Sequence, residues 1–147
     1  MDKIYDVIIL GAGPGGLAAG IYAGRARLDT LLIEKGKDGG QIAITDEIEN
    51  YPGQMVDGES GPSLIERMTK QVEKFGAERV SDTIVSVDIE GPVKTLVGSN
   101  GTYKARTLII ATGAFPRPIG CKGEGEFMGK GVSYCATCDA SFFEGLE

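Results

Sequence analysis

The chain of 147 residues has no histidine, only three cysteines and no long hydrophobic run. Each shortage removes a class of function. A closed zinc site needs four ligands, so without histidine it would have to add a carboxylate to the three sulfurs. An odd number of cysteines does not make a secreted disulfide framework, and the close pair Cys135 and Cys138 points instead to redox or metal chemistry. The longest uninterrupted apolar run near the N-terminus, Val7-Ile8-Ile9-Leu10, is four residues. That is too short for a signal-peptide core or a membrane span, and nearby Lys3 stands alone against Asp2 and Asp6. Basic clusters are missing too. Fifteen Lys and Arg are scattered among 21 acidic residues, for a formal charge of −6, which argues against a nucleic-acid partner. A cytoplasmic protein is expected.

What the chain has in excess is glycine, 23 residues, against an ordinary 41% hydrophobic and 24% charged content. Such a bias suggests a backbone shaped around a ligand. The first 34 residues show where. The run Val7 to Leu10 enters Gly11-Ala12-Gly13-Pro14-Gly15-Gly16, and a second strand, Thr30-Leu31-Leu32-Ile33, ends at Glu34. This is a dinucleotide-binding fingerprint in its strand-turn-helix context. Gly11 permits the tight turn, Gly13 lets the backbone approach a pyrophosphate, and Gly16 lets the helix pack closely on the strand. The phosphates would face free N–H groups at the helix N-terminus. Glu34, eighteen residues beyond Gly16, is placed to accept hydrogen bonds from a ribose 2′-OH. An acid there suits NAD or FAD rather than a 2′-phosphorylated nucleotide.

Residues 4 to 35 therefore read as one βαβ unit, with Leu17, Ala18, Ile21 and Tyr22 as the buried side of its helix. Small residues Ala18, Ala19, Gly20, Ala23 and Gly24 let that helix lie close to the sheet or to a nucleotide. From Gly36 to Gly61 runs a turn-rich loop, long enough to suggest a function. A helix is predicted from Pro62 to Phe75, capped by Ser60 or Gly61, stopped by Gly76, and carrying Leu64, Ile65, Met68, Val72 and Phe75 inward. Thr83 to Ile89, Val93 to Val97 and Tyr103 to Ile110 read as an antiparallel meander, turning at Gly91-Pro92 and Ser99-Asn100-Gly101 and feeding a buried central strand. The predicted fold is α/β, a Rossmann-like parallel sheet plus a β-meander. One domain spans residues 1–113, and a Gly- and Pro-rich boundary follows. Residues 114–147 form a linker and the start of a second domain.

Cys135-Ala136-Thr137-Cys138 has the spacing of a small reversible disulfide, and such pairs usually contain a thiol of lowered pKa. An inert buried pair is the bland alternative. Asp139 is equally a solvated surface acid by spacing alone, and Cys121 has no partner motif. A nucleotide fold and a redox dithiol on one chain imply electron transfer between them, work that suits a flavin better than NAD.

Taken together, Gly11 to Gly16, Glu34, Gly39-Gly40-Gln41, Glu49-Asn50-Tyr51-Pro52-Gly53, Ala111-Thr112-Gly113 and Gly131 to Asp139 resemble the low-molecular-weight thioredoxin reductases. These flavoproteins are related to the flavin subunit of alkyl hydroperoxide reductase. The resemblance covers the whole chain and implies FAD along the N-terminal domain, with Gly11, Ala12, Gly13, Pro14, Gly15 and Gly16 at its pyrophosphate and Glu34 at its adenosine ribose. Gln41, Thr45 and Asn50 would line the flavin end, with Lys35, Gly40, Val80, Ala111, Thr112 and Gly113 completing the site. It further implies that NADPH reduces the flavin, that the flavin reduces the disulfide through Cys138, and that Cys135 becomes the thiolate that attacks thioredoxin. Asp139 would move the proton, and a homodimer is expected. Two departures stand out: Ala140 replaces the glycine common after that aspartate, and family members run to roughly twice this length. No NADPH motif stands in the 147 residues. A ferredoxin donor, a peroxiredoxin-type partner and a non-catalytic FAD or dithiol module remain the alternatives.

Overall fold

The structure is a computed structural model that describes residues 3–55, 57–136, 140 and 144–145. The apolar run forms β1 (Ile4–Leu10), with Val7, Ile8 and Ile9 all at 3% exposure or less. A strand apolar on both sides belongs inside a parallel sheet covered on both faces. β1 does lie there. It pairs in parallel with β2 (Thr30–Glu34) on one side and with β6 (Thr102–Ile110) on the other. The helix joining β1 to β2, α1 (Pro14–Arg25), starts with Gly13 as an extended N-cap and Pro14 in its first turn, where proline's fixed φ suits helix entry.

β3 (Glu78–Ser81) adds to β2 in parallel, while β4 (Ile84–Asp88), β5 (Lys94–Gly98) and the first part of β6 form the antiparallel meander. The strand order is β3-β2-β1-β6-β5-β4. Alternation along β1 and β2 divides the core. Val7, Ile9 and Leu32 pack with Leu17, Ile65 and Val72 of the helices. Ile8, Leu31 and Ile33 pack with Leu96 and Ala105 of the meander. Each buried Leu or Ile contributes roughly 1.5–3 kcal/mol, so both layers are needed to hold β1 in place.

The second helix, α2 (Gly61–Lys74), begins at Ser60, whose Oγ accepts from the Ser63 N–H at 3.3 Å. Leu64, Ile65 and Val72 are buried and Met68 packs beside them, as the spacing predicts. α1 differs from expectation. Tyr22 is 74% exposed, and the buried positions are Gly16, Leu17, Gly20 and Ala23. The reason is closeness. A Cβ on Gly20 would sit 3.3 Å from Val72, and one on Gly24 would sit 2.7 Å from the Phe75 carbonyl, so the stripe facing α2 admits only small residues.

Three further differences follow from tertiary contacts. The segment 36–61 contains a 3₁₀ turn, Gly40–Ile44, and a bridge between Ile48 and Glu59. β3 forms a strand of its own by pairing with β2. The end of β6 is less covered than predicted, with Ile109 at 40% and Ile110 at 68% exposure. β5 accompanies only residues 102–105 of β6, so among the described residues no strand lies outside its last turn of pleat.

The meander is pinned by Asp82, 3% exposed. Its carboxylate accepts from the N–H groups of Thr83 (2.7 Å) and Asn100 (3.1 Å) and from the Tyr103 hydroxyl (2.8 Å). Burial pushes this carboxyl up, but the Tyr103 hydroxyl and the surrounding N–H groups outweigh it and hold the group below its ordinary range. By contact the chain divides into two compact units, Met1–Gly113 and Ala114–Glu147. In the second, Glu124 accepts from the N–H groups of Ile119 (2.8 Å) and Gly120 (2.6 Å), closing a turn that carries Cys121. No helix among the described residues is long and apolar enough to cross a membrane.

Candidate functional site

The four parallel strands all end on one side of the sheet, and most of the predicted nucleotide-binding residues lie just beyond those ends. Gly11 donates to the Ile33 carbonyl and Ala111 to the Leu10 carbonyl, both at 2.8 Å. The residues leaving β1 and β6 are therefore tied to the ends of β2 and β1, with β2 on one side of β1 and β6 on the other. Such a switch point is where open α/β sheets bind ligands.

The three glycines of the fingerprint do different physical work. Gly11 has φ +107°, and a Cβ there would lie 2.3 Å from the Ala111 carbonyl oxygen. A Cβ on Gly16 would lie 1.8 Å from the carbonyl oxygen of Gly11. Both positions are closed by backbone. Gly13 and Gly15 have nothing within 4 Å of that point, so the loop presents open backbone at the start of α1. No side chain caps α1 and no acid stands in its first turn, which leaves N–H groups and the positive end of the helix dipole for an anion. The donor set and the open cradle fit a dinucleotide pyrophosphate.

Glu34 closes β2 and faces the same loop. Its Oε2 accepts from the Ala12 N–H at 2.9 Å and its Oε1 from the Gly36 N–H at 3.0 Å. A carboxylate has about four acceptor positions, so capacity remains for ribose hydroxyls. Lys35 is exposed directly after it. Gly40 and Gln41 come close through Gly39, whose N–H donates to the Ala12 carbonyl at 2.8 Å, and a Cβ on Gly40 would point at the Gly13 Cα, 3.9 Å away. Gly39 itself was not among the predicted site residues. Its φ of +110° and the Ile65 side chain, which would lie 2.7 Å from an added Cβ, show why glycine stands there. The Gly-Gly pair five residues beyond the second strand is the signal for it.

Thr45 ends the 3₁₀ turn, donating from Oγ1 to the Gln41 carbonyl at 3.3 Å. The loop that follows is fastened to α2 by Glu59, which accepts from Ser63 at 2.7 Å and Arg67 at 2.9 Å. The Arg67 guanidinium, then Ser63, holds the Glu59 carboxyl below the usual range. Val80 pairs with Ile33 and packs against the meander-side core. Thr112 and Gly113 are exposed beyond β6. Asn50 is exposed, and among the described residues no hydrogen bond ties it to the strand ends. In the second unit Cys135 is disulfide-bonded and its N–H donates to Ser133 Oγ at 3.0 Å. Cys121 is an exposed free thiol. Cys138 and Asp139 lie outside the described residues.

The family profile of the pyridine nucleotide-disulphide oxidoreductases matches residues 5–147. The chain belongs to this family. It is 58% identical over 147 residues to thioredoxin reductase of Peptoclostridium litorale, a match covering 100% of this chain and 46% of that protein. The solved thioredoxin reductase of Streptococcus pyogenes superposes with a TM-score of 0.86 at 42% identity, covering 97% of this chain and 46% of that one. The ferredoxin-flavin thioredoxin reductase of Clostridium acetobutylicum superposes at 0.69 and 29% identity, covering 97% and 49%. The chain spans about half the length of the relatives it matches. The six-stranded sheet and its helices are those of the Rossmann-like nucleotide-binding domain of this oxidoreductase family.

Proposed function

We propose that this chain carries the FAD-binding and dithiol portion of a thioredoxin reductase. The single observation behind this reading is the open glycine loop at the switch point, with Gly13 uncovered and Glu34 turned toward it, on a chain whose Cys135 is disulfide-bonded. The thioredoxin reductases it resembles across its whole length support it.

Gly13, Gly15 and Gly16 bind the pyrophosphate through backbone N–H groups, and Glu34 orients the adenosine by accepting from its ribose. Residues 1–113 are then the first part of the FAD domain, and 114–147 begin the domain that holds the dithiol. FAD, when bound, supplies two-electron chemistry between a nicotinamide donor, NADPH, and the disulfide. Cys138 is the sulfur on the flavin side and Cys135 the sulfur that leaves as thiolate. The Cys135 thiolate attacks one sulfur of the thioredoxin disulfide and the other departs as a thiol. Cys138 then attacks Cys135, releasing reduced thioredoxin and re-forming the pair. Asp139 donates and recovers the proton. The reading includes a cytoplasmic, homodimeric protein. A ferredoxin donor is the second reading, supported by the likeness to the Clostridium acetobutylicum protein.

The test is thiol chemistry with FAD titration. Air-oxidised protein should show one alkylatable thiol, Cys121, and three after two-electron reduction. Cys138→Ser should trap a mixed disulfide between Cys135 and thioredoxin, while Cys135→Ser should trap none. Three reactive thiols in the oxidised protein, or no response to FAD, would sink the assignment.

A further inference from the structure

The loop between β2 and the 3₁₀ turn is also held from outside, by residues remote from the glycine fingerprint. Arg79, on β3, donates from Nη2 to the Gly36 carbonyl at 3.1 Å and from Nε to Asp38 Oδ1 at 2.8 Å. The other Asp38 oxygen accepts from Thr69 Oγ1 of α2 at 3.4 Å, and the Asp38 side chain is only 12% exposed. The N–H of the same Gly36 donates to Glu34 Oε1. Gly36 therefore has Glu34 on one side and Arg79 on the other. Asp38 immediately precedes Gly39, whose N–H is bonded to Ala12.

A guanidinium is a planar fork that fixes two acceptors at once. Here one acceptor is the backbone of Gly36 and the other is the acid two residues on, so the fork sets the path of residues 36–38. Glycine at 36 would otherwise leave that path loose. The Glu34 carboxylate takes one of its two backbone hydrogen bonds from the stretch so held.

We propose that Arg79 and Asp38 are positioning residues for the nucleotide site, holding Gly36 so that Glu34 stays aimed at the ribose. This rests on Glu34 being the ribose acceptor. Neither residue touches the nucleotide, and both act through Gly36.

ADP, the adenosine and pyrophosphate part of the proposed cofactor, is the probe, and its affinity is measured by calorimetry for wild type, Arg79→Ala, Glu34→Ala and the double variant. Arg79→Ala should weaken ADP about tenfold. The double variant should bind no more weakly than Glu34→Ala alone, because with the acceptor gone Arg79 has nothing left to position. A residue with only a structural role would give additive losses instead. Additive losses, or unchanged affinity in Arg79→Ala, overturn the proposal and leave the nucleotide site standing. Failure of the wild type to bind ADP overturns both. If Arg79→Ala does not fold, Asp38→Asn, which keeps the side chain's shape, takes its place in the same cycle.

Discussion

Alanine at Gly13 and at Gly16 separates a glycine kept for a ligand from one kept for the fold. At Gly16 the added Cβ would lie 1.8 Å from the Gly11 carbonyl oxygen, so α1 and the β1 loop must part by about 1.5 Å to reach ordinary contact. Neither side is a flexible side chain. Overpacking of this kind costs typically about 1–3 kcal/mol, and with backbone on both sides the upper end applies. For a chain of this size about 3 kcal/mol lowers Tm by roughly 10 °C. At Gly13 φ is −72° and nothing lies within 4 Å of the added methyl. Alanine is a poorer N-cap than glycine by up to about 1 kcal/mol, and its smaller unfolded-state entropy returns about 0.4–1 kcal/mol. The net change is about zero. The same methyl projects into the space where the pyrophosphate would meet the backbone, so ADP should bind about tenfold or more weakly. Thermal unfolding and ADP calorimetry on both variants check this. Gly13→Ala binding ADP like wild type would remove the pyrophosphate from the loop, and Gly16→Ala melting like wild type would show that α1 has slack to move.

The remaining predictions concern the scaffold and the proton. The Asp82 carboxyl is held below its ordinary value in the fold, so its stabilising contribution is present above the unfolded value of about 3.9. It is lost as pH falls through the folded value. Asp82→Asn should destabilise the protein near neutrality and flatten the acid limb of a stability-versus-pH curve measured by urea unfolding. An equally steep acid limb in that variant would clear Asp82. Arg27 has φ +60° at the end of α1, a conformation costing a non-glycine residue about 1–2 kcal/mol. Arg27→Gly removes that strain and adds unfolded-state entropy worth about 0.5–1 kcal/mol. A net gain of about 0.5 kcal/mol is expected in denaturant midpoint, and a loss would contradict it. Asp139→Asn should slow thioredoxin reduction by about 10²-fold with FAD affinity unchanged. Near-normal turnover would return Asp139 to the solvated surface.

Much of the candidate site was legible because a loop of this kind is main-chain geometry, and main-chain geometry leaves its mark as glycine at fixed spacing. Gly11, Gly13 and Gly16, a strand before them and an acid at the end of the next strand specify a βαβ unit. The interior spacing of α2, its Ser60 cap and the Gly76 stop could likewise be read directly, since each is a local preference. The side of α1 that is buried could not. Leu17 and Tyr22 look alike to a hydrophobic pattern, but α2 lies so close that glycine and alanine face it and Tyr22 is turned to solvent. β3 could not be read from Glu78-Arg79-Val80-Ser81 either, because its strand identity comes from pairing with β2. The sequence by itself determined the glycine loop, the acid that follows it and the dithiol spacing, all of which depend on residues near one another in the chain. Tertiary structure decided which residues hold that loop still. Arg79 and Asp38 are 41 residues apart, and only the alignment of β3 beside β2 brings a guanidinium to the carbonyl of Gly36.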